Sequence, residues 1–349
     1  MSTRVSLTIN GQRASVLRGA TLVGAAREVG IEIPTLCHEE GIANQAQCRI
    51  CLVQIEGRPR LEPACVTQAT DGMIVRTDSE RVADARSTVL ELLLSEHPKD
   101  CPTRALGGEC RLCDYADRFG IRGPSFGYGD RAGEIRENPF MTRDPATCIL
   151  CSKCIRVCDQ VQGVDCLAFV NRGIGTEARP ALGKILEQTE CEMCGNCVAV
   201  CPTGAIRASG MRGLAGARKV RTTCGFCGVG CQFDLNVIDG RIVGVTSAPD
   251  SVVNGKWLCA KGRFGYEFIH HPDRLTRPLV RRNGELQPAS WDEALDYIAV
   301  RLKEIKDTHG PDAIAFISSS ACTNEENYLV QKLARAAVGT NSVDQCARH

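Results

Sequence analysis

Eight cysteines repeat one pattern twice: Cys148-x2-Cys151-x2-Cys154-x3-Cys158 and Cys191-x2-Cys194-x2-Cys197-x3-Cys201-Pro202. Runs of this spacing hold pairs of [4Fe–4S] cubes, and the fourth cysteine of each run ligates the other cube. The expected sets are therefore Cys148, Cys151 and Cys154 with Cys201, and Cys191, Cys194 and Cys197 with Cys158. Asp159 stands where the second run has Pro202, which leaves all eight ligands intact. Paired zinc knuckles are the alternative chemistry for the same thiols.

Three further sets follow from spacing. Cys37-x10-Cys48-x2-Cys51-x13-Cys65, with Gly41 and Gly57 close by to let backbone approach sulfur, suits a [2Fe–2S] cluster. Zinc accepts four thiolates as well, so a structural zinc site competes there. Cys224-x2-Cys227-x3-Cys231-x27-Cys259, with Gly225, Gly228 and Gly230 relieving crowding, suits another cube. Lys261 follows two residues later, where a cation could bridge that cube and a second cofactor; an ordinary solvated lysine is the plain alternative. His97-x3-Cys101-x8-Cys110-x2-Cys113 offers one imidazole and three thiols for a further cube, or else a polar helix end beside idle thiols. Cys166, Cys322 and Cys346 fall outside every set and are expected to be small buried hydrophobes. Hydrolysis and group transfer need no electron path, so several redox centres in one chain imply an electron wire.

The chain has 349 residues and 22 cysteines, with 43% apolar residues. That length suits two or three domains with a core in each and excludes wholesale disorder. Lys+Arg 42 against Asp+Glu 41 gives a net charge of +1, so composition indicates neither nucleic acid nor an anionic membrane as partner. No targeting head stands at the N-terminus and no 18-residue apolar run occurs, so the expected location is the cytoplasm. In that reducing compartment, closely spaced thiols are metal ligands more often than disulfides.

The elements that must carry these ligands are partly legible. Residues 5 to 78 alternate strand-like runs with a helix from Thr21 to Val29, suiting a small α+β domain. From Ser79 to Glu96, Val82, Ala85, Val89, Leu92 and Leu93 recur at helical spacing, so that face should pack and deliver His97 to the next cysteines. Residues 120 to 147 lack periodicity and mark a connecting loop, and 207 to 221, basic and glycine-bearing, mark a flexible crossing between domains. After Trp291 come a helix, the strand AIAFIS, a helix from Asn324 to Val338, and NSVDQCARH. That is the start of an α/β domain whose sheet one strand and two helices cannot cover.

The order of the segments QCRICLVQIEGRPRLEPACVTQATDGM, HPKDCPT, CILCSKCIRVCDQVQG, CEMCGNCVAVCPTGAI, TTCGFCGVGCQF and WLCAKGRFGYEFIHHPDRLTRPLVR resembles the catalytic subunit of cytoplasmic, NAD(P)-linked formate dehydrogenases of the molybdenum/tungsten bis-pterin class. The first half is also similar to the large iron–sulfur subunit of respiratory complex I and to iron-only hydrogenases. SWDEALDYIA and TNEENYLVQKLARAAVGTNSVDQCAR, after the Cys224 set, resemble the opening of the formate dehydrogenase pterin domain. The resemblance implies that Lys261 lies between the proximal cube and a pterin. It also exposes a departure. The family's His site reads H-x3-C-x2-C-x5-C, whereas Arg104 fills the second cysteine position here and Cys113 is expected to substitute. In the family, the stretch matching VDQCARH is followed directly by the cysteine or selenocysteine that binds the metal. The expectation is a translation ended at a selenocysteine UGA codon, giving a chain without its catalytic ligand and inactive alone.

The expected fold class is α+β multidomain. Its parts are a β-grasp [2Fe–2S] domain (1–78), a [4Fe–4S] segment with one histidine and three cysteine ligands (79–118), a two-cluster ferredoxin-like domain (139–209), a [4Fe–4S] domain of the bis-pterin type (217–273) and the start of an α/β molybdopterin oxidoreductase domain (274–349). The resemblance implies one [2Fe–2S] cluster, three to four [4Fe–4S] clusters and a Mo or W bis-molybdopterin guanine dinucleotide in the full-length protein. Its implied function is formate oxidation to CO2, or the reverse, with electrons relayed to a flavin-containing, NAD(P)-reducing diaphorase subunit. A stand-alone electron-transfer module, or a subunit like that of complex I or a hydrogenase, is the alternative.

Overall fold

The computed structural model describes residues 4–125, 133–209, 214 and 216–345. They form two compact units, divided between Ala217 and Arg218.

In the first unit, strand β1 (Arg4–Ile9) turns Val5, Leu7 and Ile9 inward. Asn10 and Gly11, at φ 48° and 82°, then make the two-residue turn into β2 (Gln12–Leu17). Left-handed turns of this kind match the twist of the flanking strands, and Asn-Gly is the pair that adopts them most readily. Helix α1 (Leu22–Glu28) starts where Thr21 Oγ1 accepts from the Gly24 N–H. Strands β3 (Leu52–Ile55), β4 (Glu62–Pro63) and β5 (Ile74–Arg76) complete a mixed sheet of order β2-β1-β5-β3-β4, with β1 and β5 parallel. Leu22, Val23, Ala25 and Ala26 of α1 pack on this sheet in one core, the β-grasp arrangement expected.

Helix α2 (Glu80–Ser95) lies within a residue of its expected bounds, but its buried face is rotated. Val82, Arg86, Leu90 and Leu94 are inside, while Leu92 is 52% exposed. Arg86 is the reason: its guanidinium donates to the carbonyls of Thr77 and Leu52, satisfying buried acceptors that an apolar count does not see. Short helices α3 (Pro102–Ala105) and α4 (Arg111–Arg118) follow.

The stretch expected to be a connecting loop holds strands β6 (Ile135–Asn138) and β7 (Met141–Arg143), so that expectation is corrected. After helix α5 (Lys153–Val157), hairpin strands β8 (Ala168–Val170) and β9 (Glu177–Arg179), and helix α6 (Asn196–Val200), β7 finds its partner in β10 (Ile206–Ala208). A pairing across more than sixty residues leaves no trace in local periodicity. The expected crossing between domains is trimmed in the same way, because β10 and the next strand occupy its two ends; residues 210–213 and 215 lie outside the described residues.

In the second unit, β11 (Arg218–Thr223), β12 (Gln232–Ile238) and β13 (Arg241–Ser247) form an antiparallel meander, with Asp239 and Gly240 in its second turn. Helix α7 (Ala260–Phe264) precedes the hairpin β14 (Leu279–Arg282) and β15 (Glu285–Pro288). Helix α8 (Trp291–His309) is capped by Ser290, whose Oγ accepts from the Glu293 N–H. Strand β16 (Phe316–Ser318), helix α9 (Asn324–Lys332) with its π-turn continuation to Val338, and strand β17 (Val343–Gln345) follow. β17 pairs in parallel with β16, a second strand where only one was expected. Cys346 and the residues through His349 lie outside the described residues. No helix among the described residues is long and apolar enough to cross a membrane.

Candidate metal centres

The repeated cysteine runs fold alike. Leu150 and Ser152 of the first run have φ 53° and 60°; Met193 and Gly195 of the second have φ 54° and 70°. Alternating right- and left-handed residues turn successive backbone N–H groups toward one point, a concavity that suits anions and iron–sulfur groups. The Met193 N–H accordingly points at Cys191 Sγ, 3.3 Å away. Each run then enters a short helix, α5 or α6, and these helices pack together. The result is two cavities. Cys148, Cys151, Cys154 and Cys201 line the first, and Cys158, Cys191, Cys194 and Cys197 line the second. Burial pushes the thiols up, Cys151 to about 12 and Cys158 and Cys191 to about 11. Such thiols are protonated at neutral pH, so metal binding must release their protons.

Cys166 also lines the second cavity, and its N–H donates to Cys158 Sγ at 3.3 Å. It is only partly buried, and Cys322 is exposed. Both differ from the buried hydrophobes expected: each lies outside helix and strand, Cys166 before β8 and Cys322 before α9.

At the His site, α2 ends just before His97, which is buried with Nε2 3.7 Å from Cys110 Sγ and 3.6 Å from Cys113 Sγ. The ligand atoms of His97, Cys101, Cys110 and Cys113 all lie within 4.8 Å of one another. Hydrogen bonds from Cys110 and Cys113 favour the Cys101 thiolate and lower its pKa, and the same sharing raises Cys110 and lifts Cys113 to about 11. Arg104 turns away from this group to pair with Asp114 at 2.6 Å and Asp117 at 2.8 Å on α4. The segment is held against Cys201 by Thr103, which donates to the Thr203 carbonyl, and by the Arg111 N–H, which donates to that of Pro202. Gly204 is required at this contact. Its φ is 67°, and a Cβ there would come within 2.6 Å of Thr103.

Cys37, Cys48, Cys51 and Cys65 are all buried. Cys37 shares hydrogen bonds with both Cys48 and Cys65, and Cys65 with Cys51, so the four thiols form one connected group. Hydrogen bonds from Cys48 and Cys65 hold Cys37 down at about 2, with the nearby Arg156 guanidinium assisting. Gly41 and Gly57 serve the backbone rather than a close approach: φ is 81° and 78°, and a Cβ on either meets no protein atom within 4 Å. Arg156 donates to the carbonyls of Cys37 and Ala43. Lys153 Nζ lies 2.8 Å from Glu39, with both side chains buried. These contacts tie α5 to the Cys37–Cys48 loop. One apolar cluster in consequence contains Cys37, Cys48, Cys101, Cys110, Cys113 and Cys151, ligand candidates of three separate sets.

In the second unit Cys224 is buried against Phe233, Val245 and Leu258, Cys231 is partly buried, and Cys227 and Cys259 are exposed. The Cys224 N–H donates to the Cys231 carbonyl at 2.7 Å, folding the C-x2-C-x3-C loop back on itself. Cys259 is the residue before α7, and Lys261 lies exposed on that helix. Arg143, Glu137, Glu39, Lys153 and Arg156 were not singled out by sequence. The signal available was weak, a charge inside or beside a cysteine run.

Five family models match successive stretches of the chain. Residues 2–80 match a 2Fe-2S iron-sulfur cluster binding domain, 86–124 the NADH-ubiquinone oxidoreductase-G iron-sulfur binding region, and 138–207 the ferredoxin-like domain of NADH-quinone oxidoreductase subunit 3. Residues 217–271 match a molybdopterin oxidoreductase Fe4S4 domain, and 274–349 match molybdopterin oxidoreductase. The chain's successive stretches are similar to domains of NADH-quinone oxidoreductase G and of molybdopterin oxidoreductases. The domain order is the one that the resemblance implied. Similar proteins include the NADPH-Fe(3+) oxidoreductase subunit alpha of Geobacter sulfurreducens, 41% identical over 99% of this chain and 40% of its own length. A G-type subunit of the NADH-quinone oxidoreductase of Rhizobium meliloti is 38% identical with the same coverage. A Staphylococcus aureus protein whose name assigns formate dehydrogenase provisionally is 31% identical over all of this chain and 40% of its own length. A crystal structure of an NAD+-reducing [NiFe]-hydrogenase matches with a TM-score of 0.55 and 28% identity, over 60% of this chain and 88% of that one. The chain spans about 40% of the length of these curated relatives.

Proposed function

We propose that the chain is the electron-transfer portion of a formate dehydrogenase. Formate would be oxidised to CO2, or the reverse, at a Mo or W bis-molybdopterin guanine dinucleotide site of the full-length protein, and a flavin-containing diaphorase subunit would reduce NAD or NADP. The observation that carries the electron-transfer reading is the pair of cavities, each lined by four cysteines drawn from both runs. Formate as substrate is supported by the pterin-domain match and the Staphylococcus aureus relative. When bound, the clusters carry single electrons between the pterin site and the partner. The chain's own residues hold sulfur, bury it and set the charge around it.

In this reading Cys148, Cys151, Cys154 and Cys201 hold one cube, and Cys158, Cys191, Cys194 and Cys197 the other. Cys224, Cys227, Cys231 and Cys259 hold a cube beside which Lys261 faces the pterin. Cys37, Cys48, Cys51 and Cys65 would hold a [2Fe–2S] cluster, and His97, Cys101, Cys110 and Cys113 a further cube. The test is formate-dependent reduction of a viologen dye by the protein carrying its complete pterin domain, with at least a hundredfold loss in Cys224→Ser. A wild-type protein that takes up its metals, ignores formate and reduces Fe(III) with NADPH would move the reading to the activity named for the Geobacter sulfurreducens relative.

At the His site a second reading has its own support. Ligand atoms within 4.8 Å of one another suit a single tetrahedral ion such as zinc, because a cube stands between its ligands and needs them farther apart. The match of residues 86–124 to an iron-sulfur binding region favours the cube. Cys113→Ser is expected to remove one [4Fe–4S] signal and about four irons per chain, while Cys166→Ser removes none. An unchanged iron count in Cys113→Ser, with one zinc lost, would decide for the ion.

A further inference from the structure

The two cavities are built from matching halves without matching charges. Among the described residues and cysteines aside, Arg143 is the one charged side chain lining the Cys148/Cys201 cavity, and Glu192 the one lining the Cys158/Cys191 cavity. Aligned on their cysteines, the runs set Lys153 and Arg156 opposite Asn196 and Ala199. Lys153 is buried beside Glu39.

Arg143 and Glu137 connect the two sites. Both are buried, and the Arg143 Nε–H donates to Glu137. The other Glu137 oxygen accepts from the N–H of Leu186, which lines the second cavity. On the opposite side, Arg143 Nη1 is 3.6 Å from Glu177, and Nη2 is buried without a hydrogen-bond partner among the described residues. A buried guanidinium N–H left unmade is costly, so the cavity that Arg143 lines is expected to supply an acceptor, and cluster sulfur is one. Glu39 offsets Lys153, and Asp144 is spent capping the Ala146 N–H. The pair therefore stands as a dipole, guanidinium toward the first cavity and carboxylate toward the second. In a buried site fixed charges act with little screening, and charge and hydrogen bonds to sulfur tune a cluster's potential.

We propose that the Arg143–Glu137 pair gives the cube held by Cys148, Cys151, Cys154 and Cys201 a higher reduction potential than the cube held by Cys158, Cys191, Cys194 and Cys197. One electron moves between them: the second cube is oxidised, the first is reduced, and no bond or proton changes. Cys151 shares its apolar cluster with Cys37 and Cys48, so the electron rests at the end next to the [2Fe–2S] loop. Arg143 and Glu137 are positioning residues acting through this field.

The inference rests on the reading that both cavities hold cubes, and the test separates the two. The 349-residue chain, reconstituted anaerobically, is titrated with reductant and followed by EPR, with Cys148→Ser and Cys191→Ser assigning the two cube signals. Arg143→Met/Glu137→Gln is expected to keep its iron while the equilibrium between the cubes shifts at least tenfold toward the second, a narrowing of about 59 mV for one electron. If the double variant loses iron, Glu137→Gln alone, equal in shape, is expected to shift the equilibrium in the same direction. Wild type without iron for two cubes refutes the reading. Two cubes with an unchanged gap, or with the second at the higher potential, refute the inference.

Discussion

Stripping the metal from the first unit is expected to unfold its cysteine-bearing part and leave the N-terminal sheet standing. Helices α5 and α6 have five residues each, and β7 to β10 three each. Leu150, Ser152 and Met193 hold left-handed backbone at on the order of 1–3 kcal/mol apiece. Protonated thiols give nothing in return for that cost, whereas thiolates bound to metal do, because the binding free energy becomes folding free energy. The β-grasp core is different in kind. Val5, Leu7, Ile9, Val16, Leu22 and Val75 are fully or nearly buried there and need no metal to pack. Hydrogen exchange after anaerobic chelation should release the amides of residues 148–158 and 191–201 while those of β1, β2 and β5 stay protected. Loss of both regions in one cooperative step would show that metal organises the whole unit.

Glu39→Ala is expected to be the most damaging single change outside the cysteines. Lys153 sits between two cysteines of the first run and Glu39 in the loop between Cys37 and Cys48, so their contact fastens two cluster-binding segments. An exposed pair contributes about 0–1 kcal/mol, but removing one partner of a buried pair strands a charge and costs about 3–5 kcal/mol. For a unit of this size that is roughly 6–20 °C in Tm. Glu39→Ala/Lys153→Met should recover most of the loss, since replacing both charges by apolar groups is near neutral. Thermal melts of the iron-loaded chain read this directly. A Glu39→Ala loss under about 1 kcal/mol, the exposed-pair value, would mean that the pair is wet in solution.

Local rules read some elements well and others poorly. α1, α2, α8 and α9 begin at Thr21, Ser79, Ser290 and Thr323, each a residue that favours the N-cap, and their lengths follow the apolar spacing. The inward face of α2 is misread because Arg86 is buried by hydrogen bonds that lie in other segments. β6, β7 and β17 are missed because a three- or four-residue strand is defined by its partner rather than by its own pattern.

Sequence alone grouped the candidate ligands and, through the family resemblance, gave the expected order of domains, because sulfur spacing is local and a metal accepts few spacings. Tertiary structure decided the crossing of Cys158 and Cys201 into each other's cavities as a physical arrangement, and it decided the company Cys113 keeps with His97. It also decided the charge beside each cavity. Arg143, Glu137, Lys153 and Glu39 look like any solvated residues in one dimension. They acquire their force only once the chain has closed around them and removed the water that would have screened them.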